Sequence, residues 1–395
     1  MLRSRRAVGA AVLTALPLVA LLLPVTADAA TASPTVPGSA VFAPVSRVID
    51  VAADGSLLFA TNGGTALWVD GREKAIASPS KNGDALGLSD QGAPYGYAWD
   101  PATAQSRAQT WRRDGGVAAT FPEPDSTVRF LANDGTALIS RGPGARFALW
   151  TPGSPAVDLT VPELGDAVLT VSDMNNRHEV AAVAHEFGTG RDHPVRCSAA
   201  GVCQVLSTPA GGEFLAVHAI NDTGRVLGSL GDNPSDPARR GVVWDGTAAR
   251  LLPTAAGASY ASPVEGRGAL NARGDVLGYS GPGTRVFDSP VVWPAAGGAP
   301  VPLAKPSGNP SLRVTAINDS GDVAGYTSLG DVAASDKVLF WRGGALSQFA
   351  LLPLRNRAGV TGLSNTGRIG GLSSVKIDIG PWPALVGQAT YWDAR

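Results

Sequence analysis

Charge, sulfur and histidine are all scarce in this 395-residue sequence, and each scarcity removes a class of function. Only 16% of residues are charged, split between 32 basic and 33 acidic side chains. So nearly neutral a chain carries no electrostatic footprint for nucleic acid or anionic lipid. Four histidines and two cysteines leave little material for a metal centre or for histidine-based catalysis. The cysteines stand close together, in Cys197-Ser198-Ala199-Ala200-Gly201-Val202-Cys203, without the C-x-x-C spacing of redox and zinc motifs. In an oxidising compartment this pair predicts a disulfide between adjacent strands, whose short loop gives local rigidity rather than a large entropic gain. Glycine (49) and proline (30), by contrast, are abundant. Turn-rich composition without long charged helices predicts an all-β protein.

Residues 1–29 have the pattern of a secretory signal. Arg3, Arg5 and Arg6 form a basic start, Ala7 to Val25 is apolar, and Ala27-Asp28-Ala29 supplies a small-x-small cleavage site. Ser4-Arg5-Arg6 also loosely matches a twin-arginine signal, so the general and twin-arginine routes both stay open. Cleavage would leave 29 basic side chains (32 less three) and 32 acidic ones (33 less one), a net charge of −3. No cysteine follows the cleavage site to carry a lipid, and Trp392-Asp393-Ala394-Arg395 is no apolar tail. The expectation is a secreted, extracellular monomer without a membrane anchor. Its parts would be a signal (1–29), a flexible mature N-terminus (30–38) and a single domain (39–395).

The most informative feature of that domain is a repeat. In its clearest form it is Ile220-Asn221-Asp222-Thr223-Gly224-Arg225-Val226-Leu227-Gly228. An aliphatic residue ends a strand, Asn or Asp opens a turn, glycine closes it, and an alternating apolar strand resumes. Asn and Asp bond their own backbone two residues on, and glycine accepts the positive φ of a tight hairpin. The series is Val51 with Gly55, Leu88 with Gly92, Leu131 with Gly135, and Met174 with His178, where glycine is replaced. It continues as Ile220 with Gly224, Leu270 with Gly274, Ile317 with Gly321, and Leu363 with Gly367. A second landmark also occurs eight times: Trp68, Trp111, Trp150, Cys197, Trp244, Trp293, Trp341 and Trp392. Their regularity predicts tryptophans packed between neighbouring units rather than a belt for stacking carbohydrate.

A weaker strand follows each tryptophan, as at Arg250-Leu251-Leu252 and Val301-Pro302-Leu303, so each unit would hold four strands. A two-part unit every forty to fifty residues is the signature of a β-propeller. The last unit lacks its fourth strand, and Ser39-Ala40-Val41-Phe42-Ala43 is spare at the other end. The prediction is an eight-bladed β-propeller of four-stranded antiparallel blades, closed by the N-terminal segment, which also removes exposed edges. Seven blades are the alternative, because the first two units diverge most.

The Ala-Ile-Asn-Asp-x-Gly-x-Val-x-Gly phrase and Phe147-Ala148-Leu149-Trp150 resemble the HAF repeats of bacterial extracellular repeat proteins. The resemblance covers nearly all of the mature chain and is best between Val217 and Ser373, though the His-Ala-Phe triplet itself is absent. It implies a propeller-like exported protein and supplies no catalytic residues.

Chemical motifs are few. His178, Glu179, His185, Glu186, Asp192 and His193 cluster in sequence, but no H-E-x-x-H occurs and strand alternation separates His178 from His185. The turns do not match calcium loops, since arginine stands where an acid is needed, as at Arg225 and Arg368. Neither a metal nor a cofactor is therefore expected. There is no G-x-S-x-G elbow either. Paired carboxylates for glycoside chemistry meet only in space, so that possibility stays open.

Binding residues are expected on the face shared by the inter-blade connections and those between second and third strands. Asp232, Asp236, Arg239 and Arg240 lie on one long connection, and Asp378 and Trp382 on another, Ser374 to Gln388. Trp382 stands outside the repeat, stiffened by Pro381 and Pro383. Glu123, Glu163, Glu213 and Glu265 sit on four successive inter-blade connections and are candidate channel-mouth acids. The expected function is a non-catalytic binding or scaffold module for an extracellular glycan, cell-wall component or protein. The alternative is a secreted polysaccharide hydrolase or lyase using loop-face carboxylates.

Overall fold

A computed structural model describes residues 33–41, 45–61, 64–77, 84–142, 146–209, 214–231, 239–282, 289–308, 311–328, 335–379 and 382–394. They form eight antiparallel sheets, seven of four strands and one of three, each in sequence order. The blades span 47–75, 84–120, 126–158, 167–205, 214–251, 262–302, 311–349 and 357–393. Except in blade six, the first strand of each blade packs on the first strand of the next, and Arg47–Val51 of blade one packs on Arg357–Leu363 of blade eight, closing the ring. In blade six a short helical turn, Arg267–Ala269, takes the place of the end of that inner strand.

The repeat builds this ring through local turn chemistry. The turn glycines have φ between +78° and +91°, and His178, in the same place, has φ +62°. Asn221 Oδ1 accepts the N–H groups of Thr223 (3.2 Å) and Arg225 (3.0 Å). Its amide does a second job. Asn221 Nδ2 donates to the carbonyl of Asn271 (3.1 Å), and Asn271 Nδ2 to that of Asn318 (3.0 Å). Asn175 Nδ2 donates likewise to Asn221 (2.9 Å) and Asn318 Nδ2 to Ser364 (3.0 Å). One residue type thus shapes the turn and joins it to the next blade, over five successive blades. All of these groups are buried. Asn271→Ala should therefore cost about 1–3 kcal/mol, the usual consequence of stranding buried polar groups. Asn271→Asp should cost more, because a carboxylate would then face the Asn318 carbonyl and Asp275. Urea denaturation checks this; wild-type stability in Asn271→Asp would show that the inter-blade bond contributes nothing.

Tryptophan supplies the second tie. The indoles of Trp244, Trp293 and Trp341 donate to the carbonyls of Ser207, Pro253 and Ala304 in the preceding blade, each at 2.7 Å. Trp392 does the same to Ala350 (2.9 Å), and Trp111 to Ala77. In blade four Cys197 is disulfide-bonded to Cys203 on the adjacent strand. The pair packs with Phe147, Leu149 and Val161 of the blade-three side.

Two expectations need correction. Closure by the N-terminus occurs at Thr35, whose N–H and C=O both pair with Tyr391 (2.9 Å each), and not through a strand at Ser39–Ala43. Gly38–Val41 is a single helical turn, while Phe42 and Ala43 lie outside the described residues. Pro37 has no N–H with which to extend the ladder. Ser374 to Gln388 is also not a loop. Arg368–Ile379 and Trp382–Asp393 are twelve-residue strands paired along their whole length. An alternating apolar pattern such as Val375, Ile377, Ile379 supports a strand as well as a loop floor.

Candidate functional site

The two faces of the ring differ. On the turn face, neighbouring turns are tied backbone to side chain: Asn133 N–H to Asn176 Oδ1 (3.0 Å), Asn176 N–H to Asp222 Oδ1 (2.8 Å), and Asp319 N–H to Asn365 Oδ1 (2.9 Å). Arg225 and Arg368, whose positions argued against calcium, each grip a carboxylate, Asp245 and Asp393. Each then donates to a glycine carbonyl of the next blade, Gly274 (3.1 Å) and Gly55 (2.9 Å). This face is occupied with holding the ring together.

Just inside it, Arg267 spans the channel. Its Nε lies 2.9 Å from Asp173 of blade four, a second nitrogen lies 3.7 Å from Asp90 of blade two, and the guanidinium sits 5.7 Å from the Phe130 ring centre. Burial pushes Asp173 up to about 6, although Arg267 and two backbone N–H groups pull the other way. Asp50 is raised for the same reason. Both carboxylates are fully engaged. Asp173 accepts from Met174 (2.9 Å) and Ile220 (3.0 Å), and Asp50 from Val51 and Leu88 (2.8 Å each). These acids brace the bulged ends of the inner strands and leave no free pair of oxygens facing a substrate gap. Sequence analysis missed them. The available signal was an acid two residues before the turn, where the other units carry Gly87, Phe130, Ala219, Ala269, Ala316 and Gly362.

A second polar cluster lies between blades five and six. The inner strand of blade five skips a residue of pairing between Val217 and Ala219, and His218 is the extra residue. Bulges re-aim side chains. Here the bulge brings His218 Nε2 within 2.9 Å of Ser229 Oγ and 3.3 Å of Arg239 Nη2, while Arg239 Nη1 donates to Glu265 (3.0 Å). Ser229 is fully buried and His218 and Arg239 nearly so. A serine–histidine contact without substrate access is not a nucleophile pair.

The loop face carries an open groove of about 460 Å³ between blades three and four. Leu159, Val161 and Leu169 form its floor, with Arg146, Asp158 and Asp166 around it and Phe187 at the rim. Phe187 is 66% exposed and Val168 is 40% exposed. The rim is built by the hairpin from Val180–Glu186 to Arg191–Cys197. The His185 and Phe187 rings meet edge to face with their centres 5.3 Å apart, and His185 Nδ1 is 2.7 Å from Asp192. On the opposite side, Glu186 accepts from Thr189 (2.6 Å) and lies 3.1 Å from His193, and the Thr189 hydroxyl, then His193, hold its carboxyl below the usual range. The histidine-rich stretch therefore forms three histidine–carboxylate pairs: His185 and His193 stiffen this hairpin, and His178 reaches Asp134 of blade three (2.9 Å). Among the described residues no three His, Cys, Asp or Glu side chains are placed to hold a metal ion.

The sequence-predicted residues are dispersed. Arg239 and Glu265 are brought together, as a pair on His218. Glu123 shares Arg141 with Asp158, beside the groove. Glu163 is exposed, and Arg240 starts a strand of blade five with its side chain exposed. Asp232, Asp236 and Glu213 lie outside the described residues, as does the predicted signal. Asp378 and Trp382 fall in the paired strands of blade eight, and their side chains also lie outside the description.

No family model and no curated protein matches the chain. Solved propellers do. The Dos1 propeller is 12% identical, with a TM-score of 0.52 over 92% of this chain and 95% of its own. A streptogramin B lyase is 11% identical (TM-score 0.41; 89% and 93% covered). The propeller domain of the trilobed protease from Pyrococcus furiosus is 10% identical (TM-score 0.45; 77% and 92% covered). At these identities the likeness to the first establishes the propeller fold and nothing about activity.

Proposed function

We propose that the protein is an exported binding module, and that its ligand is an extracellular glycan seated in the loop-face groove between blades three and four. The observation that carries this reading is Phe187, an aromatic ring 66% exposed at the rim of a 460 Å³ groove and propped by His185. Its volume lies in the ordinary range for small-ligand sites, roughly 300–1,000 Å³. An exposed ring suits the apolar face of a sugar, and Arg146 and Asp166 supply a planar donor and acceptor for its hydroxyls. The likeness of the repeat to HAF repeats of extracellular proteins is in keeping with export. A glycoside hydrolase typically needs two carboxylates facing one another across a gap of about 5–9.5 Å, and of the two acids lining the groove Asp158 is paired with Arg141. The strongly perturbed channel acids are instead bonded to backbone and Arg267.

The test is retention of the protein on a panel of insoluble polysaccharides and cell-wall fractions, with soluble sugar release measured in parallel. Retention without release is expected. Phe187→Ala should weaken it at least tenfold, the loss of about 1.4 kcal/mol that one stacking ring supplies. Release of fragments by highly purified protein, or unchanged retention in Phe187→Ala, would overturn the proposal.

A further inference from the structure

We infer that His218, Ser229, Arg239 and Glu265 form an acid-released latch that pins the loop-face side of blades five and six to the inner wall of the ring. The inference is independent of the groove.

The latch is defined by hydrogen-bond donors. Ser229 Oγ and Arg239 Nη2 both converge on His218 Nε2, at 2.9 and 3.3 Å. An arginine can only donate. Nε2 must therefore be the unprotonated nitrogen, and the imidazole is neutral. Arg239 stands just before the strand Arg240–Asp245 and reaches inward to this nitrogen, while its other arm holds Glu265 at the start of blade six. The backbone follows the same path. The Ala261 N–H donates to the Arg239 carbonyl (3.4 Å), and the Gly241 N–H to the Ala261 carbonyl (2.6 Å). Arg239 Nε is buried and has no partner among the described residues, which hold the guanidinium by its two ends.

A proton on Nε2 reverses this arrangement. The acceptor becomes a donor facing a guanidinium, and a second positive charge enters a buried site. Burial, and then Arg239, hold His218 down at about 4, against the upward pull of Glu265. The ordinary value is 6.5. As pH falls below 6.5 the unfolded chain takes up this proton before the folded one, so stability is lost progressively toward pH 4. Below that the folded latch itself protonates. Two other charged groups face this strand. Asp173, which accepts the Ile220 N–H (3.0 Å), is pushed up to about 6 and so also titrates in this range, and Arg196 donates to the Gly224 carbonyl (3.1 Å). The comparison with His218→Gln separates the histidine from Asp173.

Amide hydrogen exchange of the full chain between pH 6 and pH 3.5, corrected for intrinsic rates, tests the latch. In wild type the Ala261 and Gly241 amides should lose protection by up to roughly tenfold for each pH unit between pH 6 and the folded His218 transition at about 4, and the loss should level off below it. In His218→Gln, which keeps an acceptor but cannot titrate, they should change less than about threefold. Equal loss in both proteins, or none in wild type, would overturn the inference. Should His218→Gln fail to fold, Glu265→Gln replaces it. Removing that carboxylate must move the wild-type transition to lower pH, and an unmoved transition would overturn the latch equally.

Discussion

Arg267→Ala is expected to be the most damaging single substitution in the channel, and its cost should depend on pH. The guanidinium compensates Asp173, whose side chain is only 3% exposed. Removing one partner of a buried pair typically costs about 3–5 kcal/mol, because the other charge is left without compensation. Arg267 is 38% exposed to the channel, so we expect the low end, about 3 kcal/mol, at pH 8. The sign of the pH effect follows from Asp173. Its folded pKa of about 6 is raised above the ordinary 3.8, so the fold favours the neutral acid. Stability from this group is fully present below pH 3.8 and is lost as pH rises through about 6. Without Arg267 that loss should deepen and extend to higher pH, while near pH 5 a protonated Asp173 makes the arginine less necessary. Urea denaturation at pH 5 and pH 8 measures both. A pH-independent loss would mean that Arg267 acts by packing on Phe130 and not as a counter-ion.

Trp244→Ala should cost about 3–5 kcal/mol, as large aromatic deletions from packed cores do. More informative is Trp244→Phe set beside Trp68→Phe. Trp244 is fully buried and its indole N–H donates to Ser207, so the phenylalanine variant strands a carbonyl and should lose about 1–3 kcal/mol. Trp68 occupies the same repeat position in blade one, but its buried N–H has no partner among the described residues. Its neighbour across the seam is Tyr391, at 6.2 Å between rings, on the strand that Thr35 closes. Trp68→Phe should therefore be neutral or slightly stabilising, since it removes an unsatisfied donor. Thermal melts of the two variants decide this. Equal losses would show that ring area and not the hydrogen bond accounts for both.

The contrast between these tryptophans marks what could be read in advance. Eight turns and eight tryptophan positions were sufficient to count blades, because each unit uses local chemistry that recurs at a fixed spacing. The disulfide was equally legible, since Cys197 and Cys203 flank one short hairpin. The closing seam was not. Thr35 belongs to no repeat, and a pairing of two hydrogen bonds across the whole chain leaves no periodic trace. The candidate site was harder still. Phe187 lies on a hairpin tip with no pattern to distinguish it. Arg239 and Glu265 were singled out separately, as a loop cation and a channel acid, although together they hold one histidine.

The sequence by itself pointed to eight blades with seven left open, and determined the hairpin within each blade, the packing role of the tryptophans and the near-neutral charge. All of these follow from interactions between residues close in the chain or repeated along it. The tertiary structure alone decided which acids are buried in the channel, that Arg267 crosses to reach them, and that the bulge at His218 turns it toward Ser229 and Arg239. It also decided that the open groove lies between blades three and four. Those outcomes depend on side chains from different blades meeting in a shared low-dielectric interior. Their burial, and hence their ionisation, is set by neighbours far away in the chain, such as Arg267 beside Asp90, which no local pattern encodes.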